Sequence, residues 1–389
     1  MQKINERLWN WASILENNTR EQAELTASMP FIFPHLALMP DAHLGRGATV
    51  GSVIPTQAAI IPAAVGVDIG CGMIAVRAQF TKADMAGDLS KLRKQIERSI
   101  PLSAGGVNRK ISREHTQARV EELAAMATDA GFDPAKYAGK WDLQLGSLGS
   151  GNHFIEVSLD EQDRVWLFLH SGSRGVGNKI ASNHIKVAQQ LAQKWWISLP
   201  DNDLAYLVEG TDEFWAYIRE LRWAQHYALL NREEMMDRVI TQLEYWMGVP
   251  VQQQERINCH HNYTEQETHF GKQVWLSRKG AINAEAGRPG LIPGSMGTAS
   301  YVVVGKGNPL SLNSSPHGAG REYSRSKARK TFTREQLQEA MVGIEYRDTD
   351  AFIDEIPQAY KDIDQVMADA ADLVEVRHTL RQIVNVKGD

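Results

Sequence analysis

The chain has few cysteines and no long hydrophobic run. Its 389 residues include only Cys71 and Cys259, which excludes a disulfide framework and leaves both thiols free in a reducing compartment, expected to be the cytoplasm. The most apolar stretch, residues 58–76, contains Pro62, Asp68 and three glycines, so it is predicted to be buried strand and turn rather than a membrane span. The first 18 residues lack the charged start and apolar core of a secretory signal, and no membrane association is expected.

An excess of basic residues is also absent. The formal net charge is −5 at pH 7, which excludes a protein that binds nucleic acid through its whole surface. Any nucleic-acid site must therefore be local. Hydrophobic residues make up 43% of the chain and charged residues 23%, values typical of a protein that folds around its own core.

Two kinds of segment alternate along the chain. Glycine-rich blocks with short apolar runs, predicted to be buried strands and loops, cover residues 39–79, 145–178, 258–263 and 276–325. Stretches with apolar residues at helical spacing cover residues 82–99, 112–130, 180–196, 212–247 and 333–370. This alternation predicts a mixed α/β fold of the α+β class, with central β-sheets surrounded by helices. No repeat or linker separates the blocks, so one domain over residues 1–389 is expected.

The first group of reactive residues is GVDIGCG at positions 66–72, where Asp68 and Cys71 lie three apart in a glycine-rich turn. A thiolate and a carboxylate facing one point would begin a divalent metal site. The alternative is that Asp68 only caps the backbone of the turn.

Two further segments, GSLGSGNHF at 146–154 and LHSGSRGVG at 169–177, place His153 and His170 beside small residues. Glycines let backbone N–H groups converge on a phosphate, and the guanidinium of Arg174 suits a bidentate phosphate contact. A tight turn is the simpler interpretation of either loop alone.

The segment NCHHNY at 258–263 contains His260 and His261. Neighbouring side chains on a strand face opposite ways, so at most one of the two is expected to be a metal ligand. With Asp68, Cys71, His153 and His170, that histidine completes a donor set for two divalent ions bridged by one thiolate.

The last group begins at His317, which lies between Pro316 and Gly318. If a helix starts here, Arg321, Arg325 and Arg329 follow on the same face, and an exposed imidazole stands above a basic stripe. That arrangement suits a nucleophile that attacks a phosphate. The alternative is a solvated basic helix whose first histidine is merely exposed.

Together these segments resemble the RtcB family of RNA ligases. The motifs that carry the resemblance are DAHLGRGATVGSVIP, PAAVGVDIGCGM, GSLGSGNHFIEV, LHSGSRGVGN, CHHNY, RKGAI, IPGSMGTASYVVVG, HGAGR and the terminal VKG, and they extend from residue 40 to residue 388. The resemblance implies two Mn²⁺ ions, one held by Asp68, Cys71 and His153 and the other by Cys71, His170 and His261. Ligand softness alone would favour Zn²⁺.

The resemblance also implies GTP as cosubstrate and a covalent His317–GMP intermediate. The residues that it places near phosphates are Asn152, Arg174 and Arg321, and those that it places near the nucleoside are Glu156, Ser295, Ser300, Tyr360 and Lys387. It places Asp41 and His43 beside the RNA ends and leaves their roles open.

The expected reaction joins an RNA 3′-phosphate or 2′,3′-cyclic phosphate end to a 5′-hydroxyl end, in RNA repair or tRNA splicing. An archease-like activator and a release-factor-like repair protein are candidate partners. A metal-dependent cyclic phosphodiesterase or phosphohydrolase is the main alternative, because two bridged metal ions also suit hydrolysis. A catalytically inactive RNA-binding protein is the third.

Overall fold

The computed structural model describes residues 1–389 and confirms the mixed α+β class. The strands are β1 (Gln2–Asn5), β2 (Leu8–Asn10), β3 (Leu36–His43), β4 (Val50–Thr56), β5 (Ala59–Ile60), β6 (Gly72–Thr81), β7 (Phe154–Leu159), β8 (Arg164–Ser171), β9 (Leu207–Val208), β10 (Gln253–His260), β11 (Asn262–His269), β12 (Lys272–Lys279), β13 (Ala281–Asn283), β14 (Pro289–Ile292), β15 (Ser300–Gly305), β16 (Ser314–Pro316) and β17 (Val374–Lys387). The α-helices are α1 (Asn17–Ala27), α2 (Pro62–Val65), α3 (Leu89–Ser99), α4 (Glu114–Ala130), α5 (Arg174–Lys194), α6 (Asp212–Met247), α7 (Arg325–Thr331), α8 (Arg334–Ala340) and α9 (Ile363–Asp369).

Two large sheets carry the fold. One has six strands in the order β1-β2-β3-β4-β12-β11, and the other has seven in the order β10-β6-β8-β7-β17-β15-β14. Two short pairs, β13 with β16 and β5 with β9, complete the strand pairing. The last strand, β17, lies inside the larger sheet between β7 and β15, and its Lys387 stands opposite Phe154. The C-terminal segment is therefore tied to the centre of the molecule.

Helix α6 has the bounds predicted from its apolar spacing. Thr211 caps its first turn by accepting a hydrogen bond from the N–H of Phe214, and Gly248 ends it in the left-handed conformation that glycine adopts without strain. Met235 and Val239, four residues apart, face the larger sheet and are fully buried in one apolar cluster with its strands. Burial of this stripe holds α6 against the sheet.

Three helix predictions are wrong in their extent. The stretch 82–99 is not one helix, because α3 begins only at Leu89 after a separate 3-10 turn. Helix α5 begins at Arg174, inside a block predicted to be strand and loop. The stretch 333–370 is not one helix, because Gly343 has a positive φ and Pro357 starts a separate 3-10 turn. Its apolar side chains, among them Leu337 and Phe352, instead pack from short helical turns into a small cluster of their own.

The apolar stretch 58–76 forms β5, the four-residue α2 and the first half of β6. No helix of the protein is both long and apolar enough to cross a membrane.

Candidate active site

Four of the predicted metal ligands meet at one end of the larger sheet. Phe154, the first residue of β7, stands opposite His170 of β8, so His153 arrives beside His170. Cys71 immediately precedes β6, the other neighbour of β8, and Asp68 lies in the turn before it. The strand register thus brings together residues that are up to 102 positions apart in the printed sequence.

The fifth predicted ligand, His261, lies between β10 and β11, and its Nε2 is 2.8 Å from Nε2 of His170. Cys71 Sγ lies 3.2 Å from the same nitrogen and 3.4 Å from Nε2 of His153. His153 Nε2 is in turn 3.0 Å from Oδ2 of Asp68. The five side chains form two three-residue clusters that share Cys71.

Hydrogen bonds at the far side of each imidazole determine where its proton lies. The Nδ1 of His153 is 2.9 Å from the carbonyl oxygen of Leu148, and that of His170 is 3.1 Å from the carbonyl oxygen of Asn152. A carbonyl only accepts, so both Nδ1 atoms carry the proton and both Nε2 atoms present a lone pair.

The same holds for His261. Its Nδ1 lies 3.2 Å from Oδ1 of Asn262, and that oxygen also accepts a hydrogen bond from the N–H of Gly280 at 2.9 Å. Nδ1 of His261 is therefore a donor. Three lone pairs that face a thiol and a carboxylate repel one another unless a cation lies between them, and this is the arrangement of metal ligands oriented by outer hydrogen bonds.

The protonation of the cluster also fits a cation. Burial raises the pKa of the Cys71 thiol well above its usual value, and the Asp68 carboxylate adds to the effect. Burial lowers the pKa of His170 and His261, so these rings are neutral. A divalent ion would make the thiolate the stable form. The donors are one sulfur, three nitrogens and one oxygen, a set that does not by itself select manganese over zinc.

His260 faces away from this cluster. Its Nδ1 lies 2.8 Å from the carbonyl oxygen of Gly70 and 3.0 Å from the guanidinium of Arg232. Of the paired histidines, only His261 faces the cluster, and its role as a metal ligand stays a prediction. The neighbouring Cys259 packs against the apolar core.

His317 follows β16 directly and is held by Asp41 of β3. Oδ2 of Asp41 accepts hydrogen bonds from Nδ1 of His317 at 2.6 Å and from its backbone N–H at 3.1 Å. With Nδ1 engaged, Nε2 has no hydrogen-bond partner in the protein. No helix begins at His317, and its side chain is only 13% exposed. The prediction of an exposed imidazole at the start of a helix is therefore wrong. The ring follows a strand, β16, and Asp41 holds it in a largely buried position.

His317 and the cluster of predicted metal ligands open into one cavity of about 330 Å³. The ring centroids of His261 and His317 are 4.5 Å apart. Other predicted site residues that line this cavity are His43, Asp68, Asn152, Glu156, His170, Ser295, Arg321, Tyr360 and Lys387. His43 bonds through Nδ1 to the backbone oxygen of Asp41 at 2.9 Å, and burial lowers its pKa to about 4, so the ring is neutral.

One wall of the cavity carries hydrogen-bond acceptors without partners. Oε2 of Glu156 and Oδ1 of Asn385 are both buried and unbonded, while Asn385 Nδ2 donates to Oε1 of Glu156 at 3.4 Å. Burial raises the pKa of Glu156 to about 8, although Lys387 and Ser300 oppose the shift. Buried polar atoms without partners cost free energy, so with Glu156 ionised this wall is suited to a ligand with N–H donors.

The predicted basic stripe is neutralised by two buried carboxylates. Arg321 pairs with Glu355 at 3.2 Å, Arg325 pairs with both Glu355 and Asp354, and Arg329 reaches Asp354 at 3.4 Å. Burial alone would raise the pKa of Glu355, but the surrounding cations, Lys387 foremost, lower it to about 2. The prediction of one helical face is wrong, since only Arg325 and Arg329 lie on α7.

Two predicted nucleotide residues do not line the cavity. Arg174 has a positive φ at the start of α5, and its side chain lies behind His153 with Nε donating to Ser147 Oγ at 3.2 Å. Ser300 is buried beside Glu156.

Comparison with known proteins identifies the family. A family model described as tRNA-splicing ligase RtcB matches residues 22–388. The chain belongs to the RtcB family. The RNA-splicing ligase RtcB1 of Escherichia coli is 48% identical over 98% of this chain and 97% of its own length. The RNA-splicing ligase RtcB of Escherichia coli K12 is 47% identical with the same coverage, and the tRNA-splicing ligase RtcB of Pyrobaculum aerophilum is 29% identical over 98% of this chain and 94% of its own. The resemblance seen in the motifs is confirmed, and with it the assignment as an RNA ligase.

In this RtcB family member, sequence reasoning missed Asn385, Asp354 and Glu355. Asn385 lies two residues before Lys387 on β17, and side chains two apart on a strand share a face. The prediction of Lys387 near the nucleoside could therefore have included Asn385. The two carboxylates lie in the stretch interpreted as a helix, where no local pattern points toward the cavity.

Proposed function

We propose that the protein joins an RNA 3′-phosphate or 2′,3′-cyclic phosphate end to a 5′-hydroxyl end, with GTP as cosubstrate and His317–GMP as intermediate. The observation that carries the proposal is the contact between Asp41 and His317. It leaves Nε2 of His317 as a free nucleophile in the cavity that the metal cluster also faces. The cavity is lined by residues from His43 to Lys387, which supports a single catalytic domain over the whole chain.

Two Mn²⁺ ions are proposed as cofactors. Asp68, Cys71 and His153 would hold one and Cys71, His170 and His261 the other. Divalent ions at this place would neutralise phosphate charge beside the nucleophile.

The unbonded acceptors support guanine as the base. Guanine presents adjacent N–H donors, which match Oε2 of Glu156 and Oδ1 of Asn385, whereas adenine offers a donor beside an acceptor. We place Lys387, Ser295, Ser300 and Tyr360 around the nucleoside. Asn152 and Arg321 lie on the cavity wall where they would meet the phosphates, and Arg174 would act from behind His153.

The proposed reaction passes through a covalent nucleotide on His317. Nε2 of His317 attacks the α-phosphorus of GTP, the bond to the β-phosphate oxygen breaks, and pyrophosphate leaves. Asp41 stabilises the positive charge that develops on the ring through the Nδ1 proton. An oxygen of the RNA 3′-phosphate then displaces histidine from the GMP. Finally the 5′-hydroxyl attacks the RNA phosphorus, its proton passes to solvent, and GMP leaves. A cyclic end is opened beforehand by water, which gives the 3′-phosphate and a free 2′-hydroxyl. We place His43, which lines the cavity, nearest the RNA ends, whereas the fully buried Asp41 acts through His317.

Labelling of the protein with α-labelled GTP and Mn²⁺ tests this proposal. The wild type should become labelled and His317→Ala should not, because the nucleophile is gone. His378→Ala is the matched control, since that side chain has a similar exposure, 16%, and pairs with Glu161 away from the cavity. A cyclic phosphodiesterase or phosphohydrolase would release product yet leave the wild type unlabelled.

A substrate that already carries GMP on its 3′-phosphate separates the steps further. His317→Ala should still seal it in a reaction that depends on Mn²⁺, since only the final displacement remains. A folded, metal-loaded variant that never seals this RNA would show that His317 also acts in the last step. A last assay tests whether a partner is needed. It compares sealing by the wild type alone with sealing after an archease-like or release-factor-like protein is added.

A further inference from the structure

The cavity at His317 continues along helix α5. It shares Arg46 and Val67 with a second cavity of about 260 Å³, and that cavity shares Lys186 and Gln189 with a third of about 540 Å³. We call the second and third cavities together the α5 groove. Residues of α5 line both of its parts, so one helix leads outward from the active site.

The α5 groove is locally basic and polar in a chain whose net charge is negative. Helix α5 contains no aspartate or glutamate, and Lys186 and three glutamines on it line the groove. The one carboxylate in the lining, Asp203, accepts a hydrogen bond from Gln189 at 3.2 Å. Cations with neutral amide donors suit a phosphodiester backbone.

Two exposed tryptophans follow directly on the last groove-lining turn of α5. Trp195 and Trp196 are 66% and 93% exposed, and they stand between Gln193 and Ile197, which both line the groove. The ammonium of Lys194 lies 5.5 Å from the ring centroid of Trp195. Aromatic faces beside a basic groove form a stacking surface for unpaired bases.

The backbone at Trp196 strengthens this interpretation. The N–H of Ile197 donates to Ala192 O at 2.9 Å and that of Trp196 to Gln193 O at 3.2 Å, so α5 ends in a Schellman motif with Trp196 at its left-handed position. Its φ is +53°, a conformation that favours glycine. A large apolar side chain therefore occupies a strained position where it is almost fully exposed to solvent, and strained positions of this kind cluster at binding sites.

We infer that the α5 groove binds the single-stranded part of the substrate RNA that leads away from the joined end, with bases stacked on Trp195 and Trp196. The inference rests on the proposed ligase function and extends it to substrate length. From Ser182 to Gln193 the helix rises about 16 Å, so only RNA of several nucleotides reaches the tryptophans. A protein partner fits this surface less well, because the groove between the apolar outer end and the active site is polar.

Trp196→Gly gives a sharp test, because glycine suits the backbone better than tryptophan does. The variant should unfold at the same temperature as the wild type or higher. Its affinity for a 3′-phosphate RNA of about 12 nucleotides should fall about tenfold, as expected for one lost stacking contact. An RNA of about three nucleotides, too short to reach Trp196, should bind equally well to both proteins. Tyr245→Ala is the matched control, because Tyr245 is an exposed aromatic residue, 73% exposed, outside the groove.

Lys186→Gln tests the middle of the groove independently. The slope of the logarithm of the binding constant for the longer RNA against the logarithm of salt concentration should become smaller by about one, because one phosphate contact is lost. Equal affinities of wild type and Trp196→Gly for the longer RNA would overturn the inference. Labelling by GTP should stay unchanged in every variant. If the wild type itself is not labelled, the proposed function has failed. If labelling is intact but Trp196→Gly binds long and short RNA as tightly as the wild type does, only the inference about the α5 groove is refuted.

Discussion

The contact between Asp41 and His317 predicts how Asp41→Asn will separate the two chemical steps. Both donors of His317 point at the same oxygen, Oδ2, while Oδ1 is buried without a partner. The asparagine oxygen should therefore take the place of Oδ2 and its NH₂ group the place of Oδ1. The tautomer of His317 is then preserved, and the change removes mainly the negative charge.

The size of the effect follows from that charge. A hydrogen bond to a charged group contributes about 1.5–3 kcal/mol, and each 1.36 kcal/mol is tenfold in rate, so guanylylation should slow about 10- to 150-fold. If the amide turns its NH₂ group toward His317, the ring adopts the wrong tautomer, and the loss should approach the roughly 10⁴-fold known for the corresponding change in the serine-protease triad.

Rapid-quench labelling with α-labelled GTP measures the first step, and sealing of RNA that already carries GMP measures the last. Asp41→Asn should slow labelling far more than sealing. Asp160→Asn is the control, because it also replaces a fully buried carboxylate with an amide. Asp160 follows the last residue of β7, at the end of that strand away from the active site. Equal losses in both assays, in a folded protein with bound metal, would show that Asp41 does not act through His317.

Three other variants test the site. Cys71→Ser should lose bound divalent metal and ligation, whereas Cys259→Ser should keep both, as metal analysis and a sealing assay would show; equal losses would contradict the assignment of the bridge. Burial raises the pKa of Glu156 to about 8, and guanine needs the ionised form, so GTP affinity measured by calorimetry should fall about tenfold per pH unit below 8. Glu156→Gln should remove that dependence, and an unchanged slope would refute the role. Glu355→Gln should lower the free energy of unfolding by about 3–5 kcal/mol, because it breaks a buried ion-pair network. The exposed Glu335→Gln should change it little, and equal effects would show that the network adds no stability.

Much of the local chemistry was readable from the sequence. The spacing of its apolar residues predicted helix α6 with the observed bounds. The opposed directions of His260 and His261 followed from strand geometry, and the structure turns only His261 toward Cys71. These features depend on neighbours within a few residues, so local patterns carry them.

Contacts between distant parts of the chain could not be predicted from local patterns. Asp41 and His317 are 276 residues apart, and only the packing of β3 against β16 brings them together. The basic residues that suggested one helical face are instead divided between a loop and α7, and distant carboxylates neutralise them. The sequence by itself determined which side chains could bind metal and attack phosphate. Only the tertiary structure decided which atoms face the cavity, because proton positions, ion pairs and burial depend on partners far away in the chain.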